Sequence, residues 1–134
     1  MEKIRISTPS RETLVDVTRH VAGVLASSSV DSGVCVVYCP HTTAAVTINE
    51  GADPAVASDI VMGLGRLIPA SWDFRHREGN SDAHLKATLV GPSETVLVEE
   101  GRLVLGTWQK IFLCEFDGPR ERSLYVHVEG REKG

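Results

Sequence analysis

The hydrophobic and polar positions in the first third of the chain predict a strand followed by a helix. Residues 2–7 alternate polar and apolar side chains, with Ile4 and Ile6 on one face, as expected of a half-buried strand. Ser10 can cap the helix that follows. Its buried face is predicted from apolar residues at three- and four-residue spacing, which are Leu14, Val17, Val21, Val24 and Leu25.

Two strands and a second helix are predicted next. Residues 34–38 form a continuous apolar and β-branched run, and residues 43–48 supply a further strand. Asp53 and Pro54 are a strong helix start, because Asp caps well and the N–H that Pro lacks is not needed in the first turn. The helix ends before Pro69, and its predicted buried face consists of Val56, Ile60, Leu64 and Leu67.

The second half predicts a polar loop, a helix and four strands. The loop covers residues 70–81. Residues 81–90 favour a helix, with Ser81 as cap and Gly91 as stop. The apolar residues in this segment also alternate, so a strand remains the alternative. The strands are predicted at 95–98, 103–105, 110–116 and 124–128. The fold class is therefore α+β, a single-domain sandwich with helices packed on a mixed, mainly antiparallel β-sheet.

Composition restricts the class of protein. The 134 residues, 42% hydrophobic and 24% charged, suit one folded domain over residues 1–134. A net charge of -4 argues against nucleic acid as a partner. The N-terminal residues lack the apolar core of a signal peptide, and no apolar run approaches the roughly 20 residues that span a bilayer. We expect a cytoplasmic protein without a membrane partner.

The three cysteines are expected to be reduced and buried. In a strand, Cys35 and Cys39 would have Cα atoms about 13 Å apart, too far for a disulfide. Cys39 lies two residues before His41, so a nucleophilic cysteine is an alternative, but burial explains most free cysteines better.

Most of the unusual residues fall in two segments, 41–54 and 76–86. Three histidines in them, His41, His76 and His84, could bind Zn²⁺ or a related metal and leave a fourth position open. Their spacing does not by itself place them on one face, so surface histidines with single hydrogen bonds remain the alternative.

Carboxylates in the same segments could act beside a metal. Glu50 follows an apolar strand and is a candidate general base, whereas Asp53 is equally well explained as a helix cap. Asn49 suits a turn. Asp82 and Lys86 are four residues apart and could form a surface ion pair. Alternatively, Lys86 with Arg120 and Arg122 could complete a phosphate pocket at the start of the helix.

The GTWQ segment, residues 106–109, lies between two apolar strands. Trp108 is expected in the core or in a subunit interface rather than stacked on a ligand. Gln109 could line a pocket or end a strand. The simplest interpretation of residues 116–122 is a turn with Arg120 and Arg122 in solvent.

Three segments together, HTTAAVTINEGADP, HREGNSDAHLK and GRLVLGTWQKIFLCEFDGPR, closely resemble the YjbQ-like family, often labelled secondary thiamine-phosphate synthase. The resemblance covers nearly the whole chain. It implies a homotrimeric α+β protein with a pocket in which His41, His76 and His84 are metal ligands. By the same resemblance, the other motif positions are Asn49, Glu50, Asp53, Glu78, Asp82, Lys86, Trp108 and Gln109.

The resemblance leaves three functions open. The first is the joining of a pyrimidine diphosphate to a thiazole phosphate, a reaction that usually employs Mg²⁺, whereas three histidines suit Zn²⁺ better. The second is metal-assisted hydrolysis with Glu50 or Glu78 as base. The third is a trimeric module that binds a metal or a phosphorylated ligand without turnover. The predicted catalytic residues are Glu50, Glu78, Asp82 and Lys86, and the predicted ligand-binding residues are Asn49, Asp53, Trp108, Gln109 and Arg120.

Overall fold

The computed structural model describes residues 1–134 and contains eight strands and three helices. The strands are β1 (Glu2–Ser7), β2 (Thr13–Asp16), β3 (Val30–Tyr38), β4 (Ala44–Glu50), β5 (Ser93–Glu99), β6 (Arg102–Leu103), β7 (Gln109–Glu115) and β8 (Glu121–Glu132). The helices are α1 (Thr18–Ala26), α2 (Pro54–Leu67) and α3 (Ser81–Val90).

The strands form two sheets in which every pair of neighbours is antiparallel. The larger sheet has the order β1-β8-β3-β5-β6, and the smaller one has the order β2-β7-β4. In the smaller sheet β7 lies in the centre, with Glu115 opposite Thr13 on one side and Ala44 on the other. The predicted α+β class is confirmed, and the strands divide into two sheets.

One apolar core joins the two sheets and α1. The larger sheet contributes side chains such as Val37 and Val126, the smaller sheet contributes Ile111 and Leu113, and α1 contributes Val21. All five are completely buried. Because inward residues of both sheets alternate with outward ones, one face of the smaller sheet remains for another layer.

Helix α3 supplies that layer. Ala83 and Ala87 of α3 pack against Ala45, Cys114 and Phe116 in a second, smaller apolar cluster. The contact residues of α3 are small, which lets the helix lie close to β4. This packing fixes the first turn of α3 near the end of β7, where two of the three candidate histidines, His41 and His84, line one cleft.

The first helix begins later than the apolar spacing predicts. Residues 13–16 form β2 and pair with β7, and α1 starts only at Thr18. The side chain of Asp16 accepts a hydrogen bond from the Thr18 amide, and Ser10 is not the cap. The Leu14–Val17 spacing suits a helix, but pairing with a central strand satisfies more backbone groups at this position.

Helix α2 begins as predicted, with Asp53 accepting a hydrogen bond from the Ala55 amide. Its predicted buried face is wrong in one respect, because none of its residues is fully buried and Leu67 is 61% exposed. The helix contacts the rest of the fold mainly at β2, the edge strand of the smaller sheet, and so much of its surface stays exposed in the single chain. None of the three helices is both long and apolar enough to cross a membrane.

Candidate functional site

A cleft of about 350 Å³, which we call the histidine cleft, contains His41 and His84. Apart from Pro40, every residue that lines it is polar or charged. The lining residues are Pro40, His41, Thr42, Thr43, Glu78, Asn80, His84, Asp117, Arg120 and Arg122.

Five parts of the fold meet at this cleft. The connection between β3 and β4 contributes His41, the loop before α3 contributes Glu78, and α3 itself contributes His84. The turn between β7 and β8 and the start of β8 contribute Asp117 and Arg122. Because a strand of the larger sheet, α3 and three connecting segments supply residues, the cleft exists only in the folded chain.

Arg122 forms the floor of the histidine cleft and is only 5% exposed. Its Nε donates to Oε1 of Glu115 at 2.8 Å, and its Nη2 donates to Oε2 of the same carboxylate and to Oγ1 of Thr43 at 2.9 Å. Glu115 is completely buried and also accepts from Oγ1 of Thr8 at 2.7 Å. The prediction of a solvent-exposed Arg122 is therefore wrong, because Glu115 provides a buried partner.

Burial alone would raise the pKa of Glu115, but the hydrogen bonds from Arg122 and Thr8 outweigh it and the pKa is lowered. Glu115 is therefore a carboxylate at neutral pH. The pair is a charge-assisted, two-point contact with the guanidinium, which holds Arg122 in one orientation.

His41 is held by the main chain of β8. Its Nε2 accepts a hydrogen bond from the Ser123 amide at 2.9 Å. Burial lowers the pKa of His41, and the charge of Arg122 lowers it further. In the neutral ring, an Nε2 that accepts leaves the proton on Nδ1. His41 therefore offers an N–H donor, and Nε2 is engaged as long as this contact persists.

Asn80, Asp117 and Arg120 form one hydrogen-bonded chain along the cleft wall. Nδ2 of Asn80 donates to Oδ2 of Asp117 at 2.8 Å, and Nη2 of Arg120 donates to the same oxygen at 3.1 Å. Burial would raise the pKa of Asp117, but these two hydrogen bonds outweigh it and the pKa is lowered. Oδ1 of Asn80 is sealed from solvent and has no hydrogen-bond partner.

His76 and His84 are adjacent at the edge of the cleft. Their ring centres are 5.4 Å apart, and Nε2 of His76 lies 3.8 Å from Glu78. Two imidazoles bound to one tetrahedral metal at about 2.1 Å have ring centres about 5 Å apart. The imidazole donors suit a transition metal, but a ring-centre distance of this size with ring planes at 88° is also that of an ordinary edge-to-face contact, so the spacing alone does not indicate a metal site.

The third predicted ligand is not grouped with this pair. No three His, Cys, Asp or Glu side chains in the chain are placed to hold a metal ion together. His41 lines the same cleft as His84, but its Nε2 faces Ser123. The metal site with His41, His76 and His84 therefore stays a prediction.

Glu50 and Asp53 lie in a different place, the carboxylate cleft between α2 and the smaller sheet. This cleft is larger, about 490 Å³, but contains no histidine. Its lining residues are Glu12, Thr13, Leu14, Asp16, Glu50, Gly51, Asp53, Pro54, Ala57, Ser58, Val61, Met62 and Phe112. Within one chain, the structure thus separates Glu50 from the histidines with which sequence analysis grouped it.

Asp82 and Lys86 form the predicted pair, with 3.0 Å between Oδ2 and Nζ, but they are not on the surface. Each is 1% exposed. Arg11 donates to Asp82 at 3.0 Å, and Glu12 contacts Lys86. These two pairs attach the segment before β2 to α3. Lys86 lines neither cleft, and a helical α3 directs it away from His84 as the spacing requires.

The remaining predicted site residues lie outside the histidine cleft. Trp108 is 62% exposed and is not a core residue. Oε1 of Gln109 accepts from the Gly106 amide at 2.8 Å and so closes a turn, and Oδ1 of Asn49 accepts from the Glu50 amide. Cys39 is 1% exposed, and burial raises its pKa, so it is a core residue and not a nucleophile.

Sequence analysis did not assign three residues that the structure brings to the site. Asn80, and not the predicted Ser81, is the N-cap residue of α3, and Asp117 lies in a segment that is typical of a turn. For Glu115, the sequence itself indicates a buried partner or a solvent-facing position. A single carboxylate inside the apolar run 111–116 is either on a solvent face or paired in the core, and here it is paired.

The chain belongs to the UPF0047 protein YjbQ-like family, whose sequence profile matches residues 2–131. It is 52% identical over 128 residues to a UPF0047 protein of Methanocaldococcus jannaschii, covering 96% of this chain and 93% of the relative. It is 46% identical over 131 residues to the UPF0047 protein YugU of Bacillus subtilis, covering 97% and 99%.

Solved structures share the fold. A YjbQ/UPF0047 family protein of Clostridium acetobutylicum superposes with a TM-score of 0.95 at 44% identity and covers 96% of this chain and 100% of the other. A protein of Aeropyrum pernix superposes with a TM-score of 0.93 at 39% identity, covering 97% and 98%. These proteins are described as uncharacterised or hypothetical, so the family establishes the fold but no activity.

The buried Asp82 contacts predict a pH-dependent stability. Burial would raise the pKa of Asp82, but hydrogen bonds from Arg11 and Lys86 outweigh it, so the folded-state pKa lies below the unfolded one. The ion pairs therefore stabilise the fold above the unfolded pKa and are lost as pH falls through the folded pKa. We expect Asp82→Asn to lower the free energy of unfolding by about 3 kcal/mol at neutral pH.

Urea unfolding followed by circular dichroism measures this effect. The difference between the wild type and Asp82→Asn should shrink as pH is lowered to about 3. The matched control is Asp59→Asn, since Asp59 is exposed on α2 and makes no ion pair, and it should change stability by less than about 0.5 kcal/mol. A difference for Asp82→Asn that is the same at both pH values would contradict the pairing.

Proposed function

We propose that this chain is a metal-dependent small-molecule enzyme whose substrate carries a phosphate or a similar anionic group, and that the histidine cleft binds it. The observation that carries the proposal is the buried, oriented guanidinium of Arg122 on the floor of a polar cleft that also contains two histidines. A fixed guanidinium in a partly desolvated cleft favours planar oxyanions over neutral ligands.

The chain supplies complementary groups around such an anion. Arg120 is half-exposed at the rim and provides a second guanidinium, whose Nε and Nη2 are engaged by Asp117. His41, which lines the same cleft, would offer its Nδ1 proton. Together these donors would orient the anionic group and leave the rest of the substrate toward His84 and His76.

A transition metal is part of the proposal, with Zn²⁺ a better match than Mg²⁺ because the donors are imidazoles. His76 and His84 would hold it, and His41 is the third ligand that the family resemblance implies. Such a metal would lower the pKa of a bound water or polarise a substrate oxygen. In one chain the third ligand requires either a movement of His41 away from Ser123 or a donor from another subunit.

Glu78 is the carboxylate best placed to accept a proton in this cleft, since it lines the cleft beside His76. Asp82 and Lys86 have a different role in this proposal: they hold α3, and with it His84, against the rest of the fold. Glu50 and Asp53 would act on the same substrate only if another subunit brought the carboxylate cleft close.

Hydrolysis of one small phosphorylated substrate suits the site better than a joining reaction. Ligand pockets range from about 300 to 1,000 Å³, and the histidine cleft is near the lower limit at about 350 Å³. A thiamine-phosphate synthase reaction must accommodate two phosphorylated molecules at once. We therefore place synthase activity second.

The homotrimer implied by the family resemblance belongs to the same proposal. Its support is the number of large apolar side chains left exposed, among them Leu97 at 62%, Trp108 at 62% and Leu67 at 61%. Exposed apolar surface of this kind is commonly covered by another subunit. A trimer would also explain why no residue of α2 is fully buried in the single chain.

A turnover assay tests the enzymatic proposal. Phosphate and pyrophosphate release should be followed with a panel of phosphate monoesters and with thiazole phosphate plus pyrimidine diphosphate. We expect His84→Ala to lower kcat/KM at least about 100-fold, as is usual when a group acting on the reacting atoms is lost. His20→Ala, a change of an exposed histidine on α1, is the matched control and should retain full activity.

Equal rates in both variants would remove the histidine cleft from the chemistry, and no turnover on any substrate would favour a binding protein.

Metal analysis tests the cofactor separately. Protein purified without a chelator or a histidine tag should contain about one transition metal per subunit, with Zn²⁺ preferred. The His84→Ala variant should lose most of it, whereas His20→Ala should not. Metal-free wild-type protein that takes up no Zn²⁺ on titration would contradict the metal site. Light scattering on the same sample measures the molar mass and so shows whether the protein is a trimer.

A further inference from the structure

We infer that Glu115 and Thr8 are positioning residues of the histidine cleft: together they hold both of its guanidinium groups, those of Arg122 and Arg120, in place to bind one anion. Neither Glu115 nor Thr8 lines the cleft, and both are buried. They would therefore act on a ligand only through the two arginines. The inference deepens the proposed function and rests on it, because it takes the histidine cleft as the anion site.

The carboxylate of Glu115 accepts four hydrogen bonds, two at each oxygen. Oε1 accepts from Oγ1 of Thr8 at 2.7 Å and from Nε of Arg122 at 2.8 Å. Oε2 accepts from the Asp117 amide at 3.1 Å and from Nη2 of Arg122. Since a carboxylate has about four lone-pair sites, the group is saturated. Three of the four hydrogen bonds come from residues that line the histidine cleft, Arg122 and Asp117.

Thr8 connects Glu115 to the second guanidinium. Its Oγ1 donates to Glu115 and accepts from the Arg120 amide at 2.8 Å, while the Thr8 amide donates to the Arg120 carbonyl at 2.9 Å. The side chain of Arg120 is attached to Asp117, because its Nε donates to the Asp117 carbonyl at 2.7 Å. The Asp117 amide in turn donates to Glu115. Both the main chain and the side chain of Arg120 are therefore connected to the same carboxylate.

The turn between β7 and β8 packs directly against Glu115 and Thr8. A Cβ added to Gly118 would lie 2.8 Å from Cγ of Glu115 and 2.9 Å from Oγ1 of Thr8. Both distances are shorter than real Cβ contacts, so a residue without a Cβ is what lets the turn approach this closely. The position of the turn, and with it that of Arg120, therefore depends on Glu115 and Thr8.

A charge effect and a positioning effect of Glu115 have opposite signs. The negative charge of Glu115 by itself opposes the binding of an anion, because it offsets part of the charge of Arg122. Removal of that charge alone would therefore tighten anion binding. Glu115→Gln also replaces the saturated acceptor by an amide whose NH₂ group can only donate. That NH₂ group would face donors that now point at Glu115, so Arg122 would lose its fixed orientation.

Calorimetric titration of inorganic phosphate into the purified protein measures which effect is larger. We expect Glu115→Gln to weaken phosphate binding at least about tenfold, because an oriented, charge-assisted hydrogen bond to the ligand is lost. The matched control is Glu132→Gln, which removes the same charge from an exposed residue at the opposite end of β8. It should leave the affinity within about twofold of the wild type, since distant exposed charges are screened.

Thr8 provides a second test that leaves the charge unchanged. Thr8→Val keeps the shape of the side chain but removes the hydroxyl, whereas Thr8→Ser keeps the hydroxyl. We expect Thr8→Val to weaken phosphate binding about fivefold or more, and Thr8→Ser to stay within about twofold of the wild type. Urea unfolding of both variants measures stability separately, so that affinities are compared between folded proteins. If Glu115→Gln does not fold, the two Thr8 variants decide.

The outcomes distinguish the inference from the proposed function. Tighter or unchanged phosphate binding in Glu115→Gln overturns the inference, because Glu115 would then act through its charge or not at all. Equal phosphate affinities in Thr8→Val and Thr8→Ser overturn it as well. Both results leave the anion site, and the proposed function, intact. Wild-type protein without measurable affinity for phosphate contradicts the proposed function, and the inference with it.

Discussion

The buried ion pair between Glu115 and Arg122 is the interaction on which both the fold and the site depend. Glu115 belongs to the smaller sheet and Arg122 to the larger one, so the pair connects the two sheets at the end where the histidine cleft opens. Leaving one member of such a pair unpaired costs about 3–5 kcal/mol, a large part of the stability of a domain this size. The same contact orients the guanidinium toward the cleft, so stability and ligand recognition use one group.

Several of the sequence-predicted site residues lie in two separate clefts, and these two clefts differ in chemistry. The carboxylate cleft is larger and contains Glu50 and Asp53, but its acidic groups have no histidine or arginine opposite them. The histidine cleft is smaller and combines guanidinium donors with imidazoles. Of these two, the carboxylate cleft has the larger volume. The convergent polar groups favour the histidine cleft as the ligand site. Whether the two clefts contact one ligand depends on how the subunits of the proposed trimer are arranged.

Much of the fold could be predicted from sequence, because its strands and helices carry strong local signals. The Asp53–Pro54 helix start and the β-branched run of β3 are examples. Residues 13–16 were harder, since their apolar spacing fits a helix and only the distant strand β7 makes them a strand. For the site, His41 and His84 could be predicted from residue type. The burial of Arg122 and Lys86 could not, because each depends on a partner more than six positions away, Glu115 and Glu12 respectively.

The central claim is that the functional centre of this YjbQ-like protein is the histidine cleft with Arg122 as its floor, and a crystal structure with arsenate tests it most directly. Arsenate has the shape and the protonation of phosphate, and its anomalous scattering identifies it without ambiguity. The account predicts one arsenate in the histidine cleft, within hydrogen-bond distance of the Arg122 guanidinium. Arsenate bound instead in the carboxylate cleft, or absent from the histidine cleft at a saturating concentration, would contradict it.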